Sequence, residues 1–403
     1  MATLNKQKSL MHPLKKLMAV IWCLVVMLFS GSPYQTIFDI NILIFGFGIV
    51  ALLFSLPTLS RIRGPQGALL ILIVMVISTM VLHLEFGKQF YWRLLFILII
   101  SYYLSQFFTF KQITDVFIKI MVFVTLISFV GYALANYTNV LSVLPRFANI
   151  NDKEYAIGIV FNYLTDYPER NCGIFWEPGI FATYLILAIA FEIFALKNNH
   201  AGKKKSVIHI IIFAIGLITA NSTAGFALGA VCILLFFVSS KANKRVNTPL
   251  SLLYTFILVL FLIAIVNLDY IIMNTPLADN EYIVKLLSSN LEESARVTVL
   301  WNNLELFFKH FFSGAGISEI SRLNALHADI STATYILSLF GVLGVAYIGC
   351  IIKGIFRQKD LNVYSKLIFF VLIMAITSKE PHLEMIFTWI LIFSLLKDKH
   401  AFS

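Results

Sequence analysis

The sequence predicts an all-α polytopic membrane protein, and three observations carry that expectation. Of the 403 residues, 59% are hydrophobic and only 13% charged, where soluble domains keep about a quarter of their residues charged. Apolar runs long enough to cross about 30 Å of hydrocarbon recur along the whole chain. The runs are continuous and not alternating, which favours helices over the strands of a barrel; in lipid only these two structures satisfy the backbone.

The runs place about twelve transmembrane helices, near residues 17–30, 38–57, 68–84, 93–110, 115–137, 178–196, 206–221, 223–240, 249–272, 332–352, 366–378 and 385–396. With a cytoplasmic N-terminus, the inside connections collect Lys6, Lys8, Lys15, Lys16, Arg61, Arg63, Lys111, Lys197, Lys203 to Lys205, Lys241, Lys244, Arg245, Lys353, Arg357, Lys359 and Lys366. Lys397 and Lys399 lie in the tail, so most of the 31 basic residues fall on one side. Short loops carry the bias, so both termini are expected in the cytoplasm.

The net charge of +10 comes from dispersed clusters beside spans, which topology explains better than a nucleic-acid footprint does. The first span lacks a small-residue cleavage site and reads as a retained anchor. Cys23, Cys232 and Cys350 fall in spans and Cys172 stands alone outside, so no disulfide framework or zinc spacing is present. Glu192 and Lys119 fall within spans, where the plain expectation is snorkelling to an interface.

Two large external loops, about 138–177 and 273–331, interrupt the pattern of one integral membrane domain over 1–403. In the second, Ser289 and Glu292 match a capping box, and Val297, Leu300, Trp301, Leu304, Phe307, Phe308, Phe311 and Phe312 follow at helical spacing. Ser313-Gly314-Ala315-Gly316 ends that helix. An apolar stripe there suits a helix lying in the membrane interface or packed on the mouths of the spans. Arg296 lies near its start.

The first loop ends in Arg170-Asn171-Cys172-Gly173-Ile174-Phe175-Trp176-Glu177-Pro178-Gly179. Pro178 fits the first position of a helix, with Glu177 at the positive end of its dipole. Asn221-Ser222-Thr223 and Ser331-Thr332 are plausible caps for two spans running the same way. Helix N-termini joined by arginines at one face form an anion site suited to phosphate.

At these residues the sequence resembles the O-antigen polymerase and O-antigen ligase superfamily of bacterial membrane glycosyltransferases. The segment 170–179 looks like the Arg-x-x-Gly-x-Phe-x-Glu-Pro of polysaccharide polymerases, and Ser222-Thr223-Ala224-Gly225 like the turn that follows two spans later. Arg296, Trp301 and Gly314-Ala315-Gly316 are similar to the family's large-loop pattern, with Gly341-Val342-Leu343-Gly344 in the next span. The resemblance covers residues 165–345. It implies a fold like the GT-C-type membrane glycosyltransferases and an inverting, metal-independent polymerase without cofactor at the outer face of the bacterial inner membrane.

Its implied partners are undecaprenyl-pyrophosphate-linked oligosaccharides as donor and acceptor, membrane lipid, a chain-length regulator and a flippase. Arg170 and Arg296 are the implied pyrophosphate ligands, with Arg296 also stabilising the leaving group. Glu177 is the implied orienter of the arginines or base, and His327 the implied alternative base. His327 lies about one turn farther from Gly341 than in the ligases, and Ala328 stands where ligases often have Asn, which favours polymerase over ligase.

The same roles follow from chemistry, since a departing pyrophosphate needs fixed positive charge where water is scarce, and arginine supplies planar, permanent donors. Ordinary alternatives stand beside them. Arg170 can pair with Glu169 or Asp166, Arg296 with Glu292 or Glu293, Glu177 can serve only to start a helix, and His327 can be an ordinary loop residue. Arg146 and Arg322 are weaker candidates. A flippase or transporter is the competing class; it should show polar residues deep in several spans or two related halves, and neither is evident.

Overall fold

A computed structural model describes residues 20–28, 30–34, 44–46, 48–49, 65–139, 142–148, 154–158, 161–165, 169–198, 203–239, 290–324, 332–379 and 382–402; within these ranges it leaves the side chains of Asn198, Thr223, 290–298, Asn324 and Lys379 undescribed. The helices are α1 (Gln66–Leu82), α2 (Gln89–Phe107), α3 (Phe110–Tyr137), α4 (Pro178–Asn198), α5 (Lys203–Ala220), α6 (Thr223–Val238), α7 (Asn290–Lys309), α8 (Gly316–Asn324), α9 (Thr332–Phe340), α10 (Val345–Phe356), α11 (Val363–Lys379) and α12 (Ile386–Lys397). A further helical stretch covers 20–28. A 3₁₀ turn at Gly341–Gly344 joins α9 to α10, and another, His382–Glu384, precedes α12.

Among the described residues, four helical segments are long and apolar enough to cross a membrane: Gln89–Phe107, Phe110–Tyr137, Pro178–Lys197 and Thr332–Phe356. Shorter apolar helices accompany them at Gln66–Leu82, Ala224–Val238, Val363–Ser378 and Ile386–Lys397. The architecture is consistent with an all-α membrane protein. Of the spans expected from sequence, most of 38–57 and all of 249–272 lie outside the described residues.

Helix α5 shows how the sequence sorts its faces. Phe213, Gly216, Leu217 and Ala220 are buried, while Ile208, Ile211, Ile215 and Ile218 are exposed in a stripe at helical spacing. Such a stripe faces lipid more readily than water. Helix α4 is the opposite case, with nearly all of its residues from Ile180 to Phe194 buried. It packs on α5 and α6 and forms the bundle's centre.

Hydrogen bonds and an ion pair place element ends in two groups. At one end, Asp398 accepts the Phe110 amide at 2.6 Å, Lys397 donates to the Ser105 and Phe108 carbonyls, and Asn362 donates to the Val238 carbonyl at 3.1 Å. At the other end, the Trp176 amide donates to the Gly31 carbonyl at 2.8 Å, and Arg93 pairs with Glu384. The two groups are those that a chain crossing back and forth would produce.

Two features depart from the sequence expectations. The first loop carries a three-stranded antiparallel sheet in the order β1 (Arg146–Ala148), β2 (Glu154–Ile157), β3 (Asn162–Leu164). Phe147 lies opposite Tyr155, and Ala156 opposite Tyr163. Tyr155, Ile157, Leu164 and Cys172 form a small satellite core with Tyr34 and Trp176. Strands of three or four residues leave too short a pattern to register in sequence. The second departure is Glu192. Instead of snorkelling, it is buried on α4 and hydrogen-bonded to Nδ1 of His209 on α5, because a central helix offers no route to an interface.

Candidate functional site

The segment from Arg170 to Gly179 crosses the end of the bundle as a fixed loop. Asn171 holds it in three ways. Its amide donates to the Thr219 carbonyl at 3.0 Å, and its Nδ2 donates to the hydroxyls of Ser128 at 2.9 Å and Thr219 at 3.1 Å. Its Oδ1 accepts the Gly173 amide at 2.9 Å. Both ends of one buried carboxamide are thereby used, tying the loop to α3 and α5.

The other positions of this segment have separate physical reasons. Gly173 adopts φ +59°, the left-handed region that favours glycine. An added Cβ would also meet the Phe181 ring at 3.0 Å. Phe175 is fully buried and stacks on Tyr184 with ring centroids 4.6 Å apart. The Glu177 carbonyl accepts the Phe181 amide at 3.2 Å, the first helical hydrogen bond of α4, and Pro178 opens that helix. Glu177 thus stands at the positive end of a dipole.

Arg170 is half-buried, and its Nε donates to the Ala220 carbonyl at 3.4 Å. That carbonyl belongs to the last residue of α5. The chain then turns through Asn221, at φ +46°, and Ser222 caps α6 by accepting the Gly225 amide at 3.3 Å. Arg170 is therefore bound to the turn between two helices, and Glu169 beside it is exposed. A Cβ on Gly225 would come within 2.8 Å of the Ala182 Cβ, so α6 starts in close contact with the first turns of α4. The first two sequence motifs are one interlocked unit.

Cys172 is inside that unit and fully buried. Burial pushes its thiol up to about 12, with Glu177 adding to the rise and Arg170 opposing it. It is a packing residue. All four cysteines, Cys23, Cys172, Cys232 and Cys350, are free and buried.

The third motif forms a second unit. Gly314 and Gly341 adopt φ +69° and +60°. A Cβ on Gly314 would lie 2.1 Å from the Leu339 carbonyl oxygen, and one on Gly341 2.6 Å from the Gly314 nitrogen. Backbone meets backbone here, with Ala315 donating to the Ser338 carbonyl at 2.8 Å and Val342 to the Phe311 carbonyl at 2.6 Å. Helix α7 then lies along α9, where Asn303, fully buried, donates from Nδ2 to the Thr334 hydroxyl at 3.5 Å.

Arg296 belongs to α7, two turns before Asn303, and its side chain lies outside what is described. His327 and Ser331 also lie outside the described residues, as does Ser289 of the expected capping box. Arg146 pairs with Glu154 across β1 and β2 at 3.4 Å, both half-exposed, and Arg322 is exposed on α8. The structure thus brings Arg170 and Glu177 to the same end of the bundle.

Glu85 was not singled out by sequence reasoning. It lies in the turn between α1 and α2, and its Oε1 accepts the Ser318 amide at 2.8 Å. Its Oε2 accepts the Ile317 amide at 3.0 Å and the Tyr91 hydroxyl at 2.5 Å. Burial raises this carboxyl, but hydrogen bonds from Ser318, Tyr91 and Ile317 outweigh it, and its pKa lies below the usual value. His83 in the same turn donates from Nε2 to the Gly314 carbonyl at 3.1 Å. A lone acidic residue in a polar turn carries no sequence signal for such a partner.

Comparison with protein-family models, with curated proteins and with solved structures returns no match.

Proposed function

We propose that this chain is a membrane glycosyltransferase that polymerises polyprenyl-pyrophosphate-linked oligosaccharide repeat units at the outer face of a bacterial inner membrane. The observation that supports this reading is the interlock of the Arg170–Gly179 segment with the Ala220–Gly225 turn. It holds the Arg170 guanidinium at the turn that precedes α6, and the start of α6 packs on the first turns of α4, an arrangement suited to a pyrophosphate because helix N-termini and arginine donors both favour anions.

On this reading a hydroxyl of the acceptor attacks the anomeric carbon of the donor sugar. The new glycosidic bond forms as the bond from that carbon to the pyrophosphate oxygen breaks, with inversion. Arg170 and Arg296 stabilise the departing pyrophosphate. The hydroxyl proton passes to Glu177 or His327 as base. The roles of Arg296, Glu177 and His327 rest on the family resemblance, and no metal is assigned.

A size profile of glycans from a deletion strain tests the reading. Loss of a polymerase leaves single repeat units on the polyprenyl carrier and on the final acceptor. Long polyprenyl-linked chains would overturn the proposal and identify a ligase, and an unchanged profile would remove the chain from glycan assembly.

A further inference from the structure

Helix α7 presents two faces of different character. Val299, Asn303 and Leu306 are buried against the bundle. Trp301 is 64% exposed and Phe308 72%, and Phe312, in the turn that follows, is 81% exposed. Trp301 and Phe308 are seven residues apart, two helical turns, and so share one stripe. Phe311, 38% exposed, extends the aromatic surface beside Phe312. An aromatic surface of this size is unfavourable in water and marks contact with something apolar.

The position of the stripe along the bundle identifies that contact. At the C-terminal end of α7, Lys309 donates to Glu319 of α8 at 3.2 Å, with His310 at 3.1 Å from the same carboxylate. Helix α8 in turn begins on Glu85, in the turn that ends α1, whose Leu70, Val74, Ile77 and Val81 are exposed in a stripe at helical spacing. There Leu84, Phe86 and Trp92 are exposed, and the Trp92 indole donates to the Phe86 carbonyl at 2.9 Å. Exposed aromatics at the end of an apolar helical stripe are the mark of the membrane–water boundary. The α7 aromatics join this belt through α8, where Leu323 is exposed. Exposed cations accompany these residues, Lys88 just before α2, Lys309 at the end of α7 and Arg322 on α8, as a headgroup region requires. Glu305, exposed one turn after Trp301 on the same side of α7, puts a carboxylate within the face, which a hydrated headgroup layer accommodates and an acyl-chain interior does not.

We propose that the Trp301, Phe308 and Phe312 face of α7 is seated in the lipid headgroup region at the end of the bundle where α1 ends. The α7–α8 segment is then a membrane-seated arm and not a free loop. This inference rests on the membrane architecture and not on the glycosyltransferase reading. Continuity of this face with the exposed Leu84, Phe86 and Trp92 at the end of α1 favours lipid over a sugar polymer as the occupant.

The test is tryptophan quenching of the full chain in phosphatidylcholine–phosphatidylglycerol vesicles whose lipids carry bromine near the headgroup end of the acyl chains. The Trp301 signal is the difference between wild type and Trp301→Phe, and the Trp92 signal that between wild type and Trp92→Phe. The Trp301 signal is expected to fall about twofold or more with brominated lipid and to resist aqueous acrylamide. Phe312→Trp adds a second reporter at an open position, which decides the matter if Trp301→Phe fails to insert.

Quenching of the Trp92 signal without that of Trp301 or of Phe312→Trp would overturn the proposal and leave the membrane architecture standing. Loss of both responses would overturn both. A Trp301 signal that ignores brominated lipid and shifts with added polysaccharide would replace lipid with glycan as the occupant.

Discussion

The carboxylate of Glu85 caps a helix more than two hundred residues away, accepting the Ser318 amide at 2.8 Å. The α1–α2 turn and the large second loop are thereby one structural unit, and this contact sets where α7 and α8 stand over the bundle. Glu85→Gln puts an amide NH₂ against backbone donors and is expected to cost about 1–3 kcal/mol. The pH dependence has a definite sign. The folded pKa is lowered from 4.5, so the contribution is complete above that value and is lost as pH falls from it through the folded pKa. Thermal unfolding in detergent should show the gap between wild type and Glu85→Gln narrowing as pH falls below 4.5 and closing once the folded pKa is passed; a constant gap across pH would show that ionisation of Glu85 does not matter.

Gly314 has no room for a side chain, since a Cβ would lie 2.1 Å from the Leu339 carbonyl oxygen at a left-handed φ. Gly314→Ala should therefore sharply reduce the amount of folded protein in the membrane. Gly349→Ala, where nothing lies within 4 Å, should be neutral or stabilising by up to about 1 kcal/mol. Equal abundance of the two variants on a membrane immunoblot would refute the backbone-to-backbone packing.

On the proposed function, Arg170→Ala should abolish polymer formation, by about 10²–10³-fold or more, at normal membrane abundance. Arg170→Lys should rescue poorly because the planar two-pronged donor is gone. Activity should also survive chelation by EDTA. Full activity in the Ala variant would remove Arg170 from the site, and activity lost to EDTA but restored by a divalent ion would overturn the metal-independent assignment.

Cys172 is fully buried and its thiol is pushed up to about 12. It should resist maleimide in the native protein at pH 7 to 8 and react only after denaturation. Rapid native labelling, read by mass spectrometry of the modified peptide, would show that the 170–179 segment opens.

Reporter fusions at Asn162 and Asn280 should report the outer side, and fusions at Ala201 and Asn243 the cytoplasm. A reversal within either pair would break the span count expected from sequence.

The sequence by itself determined that this chain is built of apolar helices, several of them long enough to cross a membrane. Composition and run length depend on one residue after another, and lipid selects on just those properties. Pro178 at the start of α4 and Ser222 as the cap of α6 were readable for the same reason, because helix ends are satisfied by neighbours in the chain. The helical nature of α7 was readable too, but not which of its apolar residues are covered. Periodicity gives a stripe, and only packing on α9 decided that Val299, Asn303 and Leu306 face in while Trp301 and Phe308 face out. The partners of Glu85, Glu192 and Asn171 were likewise decided by tertiary structure. Each lies on a different element, and a hydrogen bond across a bundle depends on distance in space, on which local sequence is silent.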